Sequence, residues 1–281
     1  MSLNISPEKI DNSLLVELLR QLNRTFSKIG SDFFVIGATA RDIILRVLAN
    51  TSARRKTKDL DIAIAVTGWD KYNEICQALI ADGLEKSTHQ AQRFYFGDYE
   101  VDIVPYGAVA KDDDNIYWPP EETIAMSVKG FDEVLSEAIT VSIDNDFEIR
   151  IASLHGLFLL KLNAWLDRNI GTNKDTEDMW YIVDNYYFAN EGRGIHPEVY
   201  ELDGFDLTVG GAYWMAHDIA DLLSQEQIAY YADVLRNEIE REEDSRLVVQ
   251  ILETNRAVTS SDVIKVLQTI SDVFSKRLTD D

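Results

Sequence analysis

The sequence predicts an α+β fold in which a mixed β-sheet with flanking helices is followed by a mainly helical C-terminal domain. The first observation is that strand-like apolar runs alternate with segments of helical periodicity between residues 33 and 106. The second is that helical periodicity dominates from Ser153 onward. A chain of 281 residues is long enough to form two domains. We therefore predict one domain over residues 1–150 and a second over residues 151–281.

The N-terminal elements follow from local patterns. Apolar side chains at helical spacing predict an opening amphipathic helix: Leu14, Leu15, Leu18, Leu19, Leu22 and Phe26. A strand is predicted at residues 33–36, and a turn of small residues beginning at Gly37 leads from it into a second helix. Further strands are predicted at residues 58–64, 93–96 and 99–104.

The remaining elements complete the sheet and the helical half. After Pro105 the sequence predicts a polar loop. Two short strands then flank a turn at Asp144-Asn145-Asp146. The predicted strands cover residues 139–143 and 147–151, and the predicted later helices cover residues 215–223, 225–240, 246–252 and 263–274. We expect Gly210-Gly211 to interrupt the helical pattern.

Asp59 and Asp61 lie two residues apart within an apolar run that predicts a buried strand. Side chains at positions i and i+2 of a strand share a face, roughly 6.5–7 Å apart along the backbone. Two adjacent carboxylates with little solvation repel each other, so we expect a cation between them. A pair of Mg²⁺ ions is the natural candidate. The alternative for an isolated Asp-x-Asp pair is a solvated strand end.

The turn before the second helix is a candidate phosphate site. Small residues at Gly37 and Ala38 allow backbone N–H groups to approach a ligand, and the N-terminus of a helix carries partial positive charge. The hydroxyl of Thr39 and the guanidinium of Arg41 would add to this site. We therefore expect this turn to bind phosphate.

A third carboxylate lies on the strand that follows the turn at Gly97-Asp98. Alternation places Glu100 and Asp102 on one face of this strand, and Val101 and Ile103 on the other. We favour Asp102 as the third metal-site carboxylate because Glu100 lies nearer to the turn.

These residues resemble the nucleotidyltransferases of the DNA polymerase β-like superfamily. The family pattern is Gly-[Gly/Ser] before a helix, then a strand with Asp-x-[Asp/Glu], then a third acid on a later strand. Gly37-Ala38, Asp59, Asp61 and Asp102 match this pattern in order and context. The chain departs from it at Ala38 and in a longer segment before Asp59. That segment contains the basic residues Arg54, Arg55, Lys56 and Lys58.

Residues 151–165 and 173–180 look like motifs of the AbiEii/AbiGii-type nucleotidyltransferases, which are toxins of bacterial toxin–antitoxin and phage-defence systems. The resemblance implies that Lys161, Lys174 and Asp175 lie near the nucleotide. For Asp175 the alternative is a capping box that closes the N-terminus of the next helix. For Lys161, which lies in an apolar helix, the alternative is that its side chain extends to water.

The resemblance implies a metal-dependent nucleotidyltransferase with two Mg²⁺ ions and a nucleoside triphosphate (NTP) donor. The acceptor hydroxyl attacks the α-phosphorus, pyrophosphate leaves, and a nucleoside monophosphate (NMP) is transferred. An AbiEii-like toxin acting on RNA, such as the 3′ end of tRNA, is favoured, with a basic antitoxin protein as a candidate partner. The alternatives are adenylyl transfer to a small cationic molecule such as an aminoglycoside, CCA-adding activity, and a catalytically silent interaction module of the same fold.

Composition limits the other partners and the compartment. A formal net charge of −22 argues against an extended surface for duplex DNA or for a membrane. The single cysteine, Cys76, excludes an internal disulfide and fits a reducing compartment. The sequence shows neither a signal peptide nor an apolar run long enough to span a bilayer, so we expect a cytoplasmic protein.

Overall fold

The structure is a computed structural model that describes residues 2–10, 12–51, 58–122, 125–193, 197–202 and 204–279. Three residues of the predicted basic segment, Arg54, Arg55 and Lys56, lie outside these described residues. Residue contacts divide the chain into two compact units, Met1–Ser153 and Leu154–Asp281.

The first unit contains the sheet and the helices that cover it. Its strands are β1 (Ser2–Ile5), β2 (Phe34–Ile36), β3 (Asp59–Val66), β4 (Glu85–Lys86), β5 (Arg93–Phe96), β6 (Tyr99–Gly107), β7 (Asn115–Tyr117), β8 (Ala125–Ser127), β9 (Ile139–Ile143) and β10 (Phe147–Ile151). Its helices are α1 (Ser13–Lys28), α2 (Gly37–Leu48), α3 (Trp69–Ala81) and α4 (Phe131–Ser136).

Within the described residues, eight of these strands form one sheet in the order β1-β9-β10-β2-β3-β6-β5-β4. At its centre β2 pairs antiparallel with β3, β3 pairs parallel with β6, and β6 pairs antiparallel with β5. The predicted mixed sheet with flanking helices is therefore confirmed.

Helix α1 begins at an N-cap and packs one apolar face into the core. The side-chain oxygen of Asn12 accepts hydrogen bonds from the backbone N–H groups of Leu14 and Leu15. Leu18, Leu19 and other apolar residues of the predicted stripe are buried. Each such side chain contributes about 1.5–3 kcal/mol when it is fully buried, so this face fixes α1 against the rest of the unit.

The segment after Pro105 is more ordered than the predicted polar loop. It forms the antiparallel pair β7 and β8 and the short helix α4. Trp118 packs against Trp69 and Tyr72 of α3, with ring centroids 5.3 and 5.5 Å apart. This segment is held in a regular structure by contacts with residues that are distant in the sequence. Its own polar composition did not indicate those contacts.

The second unit is helical wherever it has regular secondary structure in the described residues, as predicted. Its α-helices are α5 (Leu154–Arg168), α6 (Lys174–Ala189), α7 (Pro197–Tyr200), α8 (Leu207–Leu222), α9 (Gln225–Glu240), α10 (Arg246–Thr254) and α11 (Ser260–Thr279).

The prediction that Gly210-Gly211 interrupts the helical pattern is wrong, because both residues lie inside α8. A Cβ on Gly211 would lie 2.9 Å from the backbone nitrogen of Tyr187 and 3.1 Å from the carbonyl oxygen of Val183, both on α6. Glycine therefore lets the two helices approach closely, and packing between helices outweighs its low helix propensity.

A polar network joins α5, α6 and α8. The Nδ1 atom of His155 lies 3.1 Å from the hydroxyl of Tyr186, which donates a hydrogen bond to Asp218. Arg193 pairs with the same carboxylate. Burial and the negative charge of Asp218 raise the pKa of Tyr186 well above its usual value, so this phenol stays protonated and acts as a donor.

Candidate active site

Four carboxylates share one face of the sheet where β3 pairs with β6. In this parallel pair Asp59 lies opposite Glu100, and Asp61 lies opposite Asp102. Residues that face each other on paired strands point to the same side of the sheet. The structure thus brings together the three predicted acids and adds Glu100, which the sequence analysis set aside. We call Asp59, Asp61, Glu100 and Asp102 the carboxylate grid.

Alternation keeps the grid at the surface while its strands remain anchored in the core. Leu60 and Ile62 of β3 and Val101 of β6 point to the opposite face and are fully buried. Asp59 is exposed, and Asp61 is partly buried. Like charges directly opposite each other destabilise a strand pair. The apolar residues therefore hold the carboxylates in a mutually repulsive arrangement that favours binding of a cation.

Arg93 supplies positive charge to the β6 side of the grid. Strand β5 pairs with β6 so that Arg93 lies opposite Asp102. The Nε atom of Arg93 donates to Oδ1 of Asp102 at 2.7 Å, and Nη2 donates to Oδ2 at 2.8 Å. Its Nη1 atom also forms an ion pair with Glu100. The hydrogen bonds to Asp102 raise the pKa of Arg93 above its usual value, as expected for a bidentate charged pair.

Gly37 brings the N-terminus of α2 against Asp61. Ile36 of β2 lies opposite Asp61, and α2 begins at the next residue. Gly37 has a φ of +69°, and a Cβ built on it would overlap Oδ2 of Asp61. The position therefore requires glycine both for its backbone conformation and for space. The first backbone N–H groups of α2, including that of Ala38, belong to a helix N-terminus, which is a favourable place for an anion.

Thr39 and Arg41, which were predicted to supplement the phosphate site, make contacts inside the first unit. The hydroxyl of Thr39 donates to the carbonyl oxygen of Asp59 at 2.7 Å. Arg41 is 3% exposed, and its Nη2 atom lies 2.6 Å from Oδ1 of Asp42. Thr39 thus fixes the start of β3, and Arg41 would have to leave a buried ion pair to reach a phosphate.

The donor chemistry of the grid fits magnesium. Mg²⁺ prefers carboxylate oxygens, and Asp59 and Asp61 present them from the same face of β3. Within the described part of the chain, no three His, Cys, Asp or Glu side chains are placed to hold one metal ion together. Both oxygens of Asp102 are hydrogen-bonded to Arg93. The residue types therefore fit the ion, and Asp102 is engaged by a protein cation.

A second charged cluster lies in the second unit, between α5 and α6. The Nζ atom of Lys161 lies 3.2 Å from Oδ1 of Asp175 and 2.8 Å from Oδ2 of Asp178. Arg168 binds Asp175 in a bidentate manner, at 2.8 and 2.9 Å. Asp175 and Asp178 are 1% and 2% exposed. Burial alone would raise the pKa of Asp175, but the hydrogen bonds and charges of Arg168 and Lys161 hold it below its usual value.

This geometry excludes a capping box for Asp175 and brings the ammonium group of Lys161 into contact with carboxylates. The N-cap residue of α6 is Asn173, and the carboxylate of Asp175 binds Arg168 and Lys161. The capping-box alternative is therefore wrong. The ammonium group of Lys161 lies between two buried carboxylates, so its side chain does not simply extend to water. Lys174, the first residue of α6, is exposed.

Arg93 and Arg168 were not among the site residues predicted from the sequence. For Arg168 a signal was present, because it lies seven residues after Lys161 and so occupies the same face of α5 two turns later. For Arg93 the signal was the hairpin turn, since pairing Phe96 with Tyr99 places Arg93 opposite Asp102 by simple counting along the two strands.

No described helix has both the length and the apolar character needed to cross a bilayer.

Comparisons with known proteins agree with the resemblance in the motifs. Residues 18–257 match the model of the family described as nucleotidyl transferase AbiEii toxin, type IV toxin–antitoxin system. No curated protein has a significantly similar sequence.

Three solved structures have folds that align with this chain at 12% sequence identity. JHP933 from Helicobacter pylori aligns over 98% of this chain and 95% of its own, with a TM-score of 0.41. ANT(2″)-Ia in complex with adenylyl-2″-tobramycin aligns over 65% and 91%, with a TM-score of 0.35. A CCA-adding enzyme with ATP aligns over 95% and 83%, with a TM-score of 0.34.

Proposed function

The chain belongs to the AbiEii family of nucleotidyltransferase toxins, and from this membership we propose that it is a metal-dependent enzyme that transfers an NMP from an NTP to a hydroxyl group of RNA. The single observation that carries the proposal is the pairing of Asp61 with Asp102, beside an α2 N-terminus that touches Asp61. Carboxylates for cations and backbone amides for phosphate thus meet where β2, β3 and β6 lie side by side in the sheet. Under this proposal residues 1–150 form the nucleotidyltransferase catalytic domain and residues 151–281 form a mainly helical C-terminal domain.

Asp59, Asp61 and Asp102 are the residues that would hold two Mg²⁺ ions. When bound, the ions neutralise charge on the triphosphate and lower the pKa of the acceptor hydroxyl. The pairwise register of β3 and β6 supports this assignment, because it sets all three carboxylates on one face of the sheet.

The protein groups position the reactants. The backbone N–H groups at the start of α2 bind phosphate oxygens, and Gly37 leaves room for the carboxylate of Asp61 beside them. Asp102 accepts the proton of the acceptor hydroxyl as that oxygen attacks the α-phosphorus, and the bond to pyrophosphate breaks. Holding these groups in line lowers the barrier by reducing the entropy lost on reaching the transition state.

From the family resemblance we propose that Lys161, Lys174 and Asp175 also bind nucleotide. Asp175 and Asp178 hold the ammonium group of Lys161 in a fixed position on α5. Lys174 is exposed at the N-terminus of α6, where a helix end favours an anion. Lys161 is charge-balanced by these carboxylates, so Lys174 is the exposed cation through which we propose that this cluster contacts phosphate.

For the acceptor we propose RNA, such as the 3′ end of tRNA, as befits a toxin of this family. An antitoxin protein is the proposed partner, and its basic character would complement the net charge of −22. The same charge favours a second candidate acceptor, a small cationic molecule such as an aminoglycoside. We also propose that the protein acts in a reducing cytoplasm, in keeping with the single, buried Cys76. We propose no extended contact with duplex DNA.

The test uses purified wild-type protein, Mg²⁺ and each of the four NTPs labelled at the α-phosphate. The label is followed into total RNA, total protein and a panel of aminoglycosides. Label in RNA that disappears when Mg²⁺ is chelated supports the proposal, and label in aminoglycosides alone replaces it with the second candidate. Transfer to none of the acceptors contradicts the proposed reaction.

A further inference from the structure

Arg93 occupies a special position beside the carboxylate grid. Across three neighbouring strands, β3, β6 and β5, Asp61, Asp102 and Arg93 lie side by side at one level of the sheet. The next level contains Asp59, Glu100 and Tyr95. The guanidinium group of Arg93 therefore lies next to the carboxylate grid, and the register of β5 with β6 sets its position.

The contacts of Arg93 divide the grid into two halves. Its guanidinium binds both oxygens of Asp102 and also pairs with Glu100, the two acids of β6. The β3 acids, Asp59 and Asp61, lie beside the first turn of α2. Asp102, the third carboxylate of the proposed metal site, is thus already neutralised by Arg93.

This ion pair lies at the protein surface, where it can exchange partners. The side chains of Arg93 and Asp102 are 22% and 19% exposed, so a cation in solution can reach them. Glu100 is more accessible, with 41% of its side chain exposed, and remains a partner for Arg93 when Asp102 is taken by another cation. A guanidinium and a divalent cation repel each other at such short range, so both cannot bind Asp102 at full strength.

We propose that Arg93 competes with the divalent metal for Asp102 and thereby sets the metal affinity of the site. This inference rests on the proposed function, because it takes the grid as the metal site. In the metal-free protein Arg93 neutralises Asp102 and keeps its carboxylate oriented. When metal binds, Asp102 exchanges Arg93 for the ion, and Arg93 stays paired with Glu100. Arg93 is therefore a positioning residue that acts through Asp102.

The experiment measures Mn²⁺ affinity from the electron paramagnetic resonance signal of free Mn²⁺, with no substrate present. Arg93→Met keeps much of the side-chain volume and removes the competing charge, so we expect about tenfold tighter Mn²⁺ binding, a size typical of coupling between contacting groups. Arg93→Lys, which keeps a charge but loses the bidentate contact, should lie between the wild type and Arg93→Met. This second variant also covers the case in which Arg93→Met does not fold.

Two matched controls separate specific competition from a general effect of charge. Lys58 pairs with Asp98 next to the start of β3, and Lys58→Met should change the Mn²⁺ affinity less than threefold, because this exposed charge is well screened. In an Asp102→Asn background, Arg93→Met should no longer tighten binding, because the group it acts through is absent. Equal tightening in both backgrounds, or no tightening by Arg93→Met, overturns the inference.

If the proposed function is wrong, the variants will show a different set of Mn²⁺ affinities. If Asp61→Asn leaves Mn²⁺ binding unchanged, the grid is not the metal site, and both the metal assignment and the inference are wrong. If Asp61→Asn abolishes binding while Arg93→Met leaves it at the wild-type level, the metal site stands and only the competition by Arg93 is wrong.

Discussion

The carboxylate of Asp61 occupies the space that a side chain on Gly37 would need. This contact joins the two parts of the proposed chemistry, because Asp61 belongs to the carboxylate grid and Gly37 begins the helix whose N-terminus is the proposed phosphate site. Movement of the Asp61 carboxylate would not remove the whole cost of a side chain at this position, because Gly37 also has a φ of +69°.

Gly37→Ala should therefore impair transfer more than folding. The left-handed conformation costs alanine roughly 1–2 kcal/mol, and the methyl group must displace the carboxylate of Asp61. A displacement of about 1 Å at a reacting group lowers the rate about 100-fold. The transfer rate and urea denaturation are measured together. Gly30→Ala is the control, because Gly30 has a φ of +62° but its Cβ would meet none of the described atoms within 4 Å. Equal loss of activity in both variants would contradict the role of the contact.

Asp175→Asn should destabilise the protein at neutral pH. Removing one charge from a buried ion pair leaves its partners uncompensated, at a cost on the order of 3–5 kcal/mol, and Asp175 is buried beside Lys161 and Arg168. Denaturant titration at pH 7 measures this change. Asp167→Asn, on the exposed face of α5, should stay within about 0.5 kcal/mol of the wild type.

The same carboxylate predicts a pH dependence. Its pKa is lower in the folded protein than in the unfolded chain, so the unfolded state binds more protons as the pH falls. The stabilisation by Asp175 is fully present above the unfolded pKa of about 3.9 and is lost as the pH falls through the folded pKa. The wild type should therefore lose more stability than Asp175→Asn on going from pH 6 to pH 3. If the free energy of unfolding changes with pH in the same way for both proteins, the pKa of this carboxylate does not differ between the folded and unfolded states.

Gly211→Ala should destabilise the second unit by about 1–3 kcal/mol, the usual cost of overpacking. The added methyl group would meet the backbone of α6 at Tyr187 and Val183, which cannot move aside as a side chain can. Thermal unfolding measures the effect. At Gly192 a Cβ would contact none of the described atoms within 4 Å, so Gly192→Ala serves as the control and should leave the melting temperature nearly unchanged. A wild-type melting temperature for Gly211→Ala would contradict the close approach of α6 and α8.

Much of the first unit could be predicted because its signals are local. Strand β10 follows period-two alternation and a turn of Asp and Asn, and its observed bounds, Phe147–Ile151, match the predicted ones. Asp59 and Asp61 were placed on one face of their strand, and Glu100 and Asp102 on one face of theirs, since alternation along a strand requires no knowledge of its neighbours.

The partners of the charged residues were harder to predict because they come from other elements. The pair of Lys161 with Asp178 depends on how α5 packs against α6, and no pattern within either helix specifies that packing. Gly211 illustrates the same limit, because its low helix propensity was the local signal and its contact with α6 decided the structure. Arg93 lies between these cases, since its partner follows from hairpin register.

The most direct test of the central claim is the rate of Mg²⁺-dependent NMP transfer by Asp61→Asn, measured under single-turnover conditions beside the wild type. Asp98→Asn, which removes an exposed carboxylate at the nearby turn, is the matched control. We predict that Asp61→Asn transfers about 10³-fold more slowly, with an unchanged circular dichroism spectrum, and that Asp98→Asn transfers at the wild-type rate. Transfer by Asp61→Asn at the wild-type rate would contradict the assignment of the carboxylate grid as the catalytic centre.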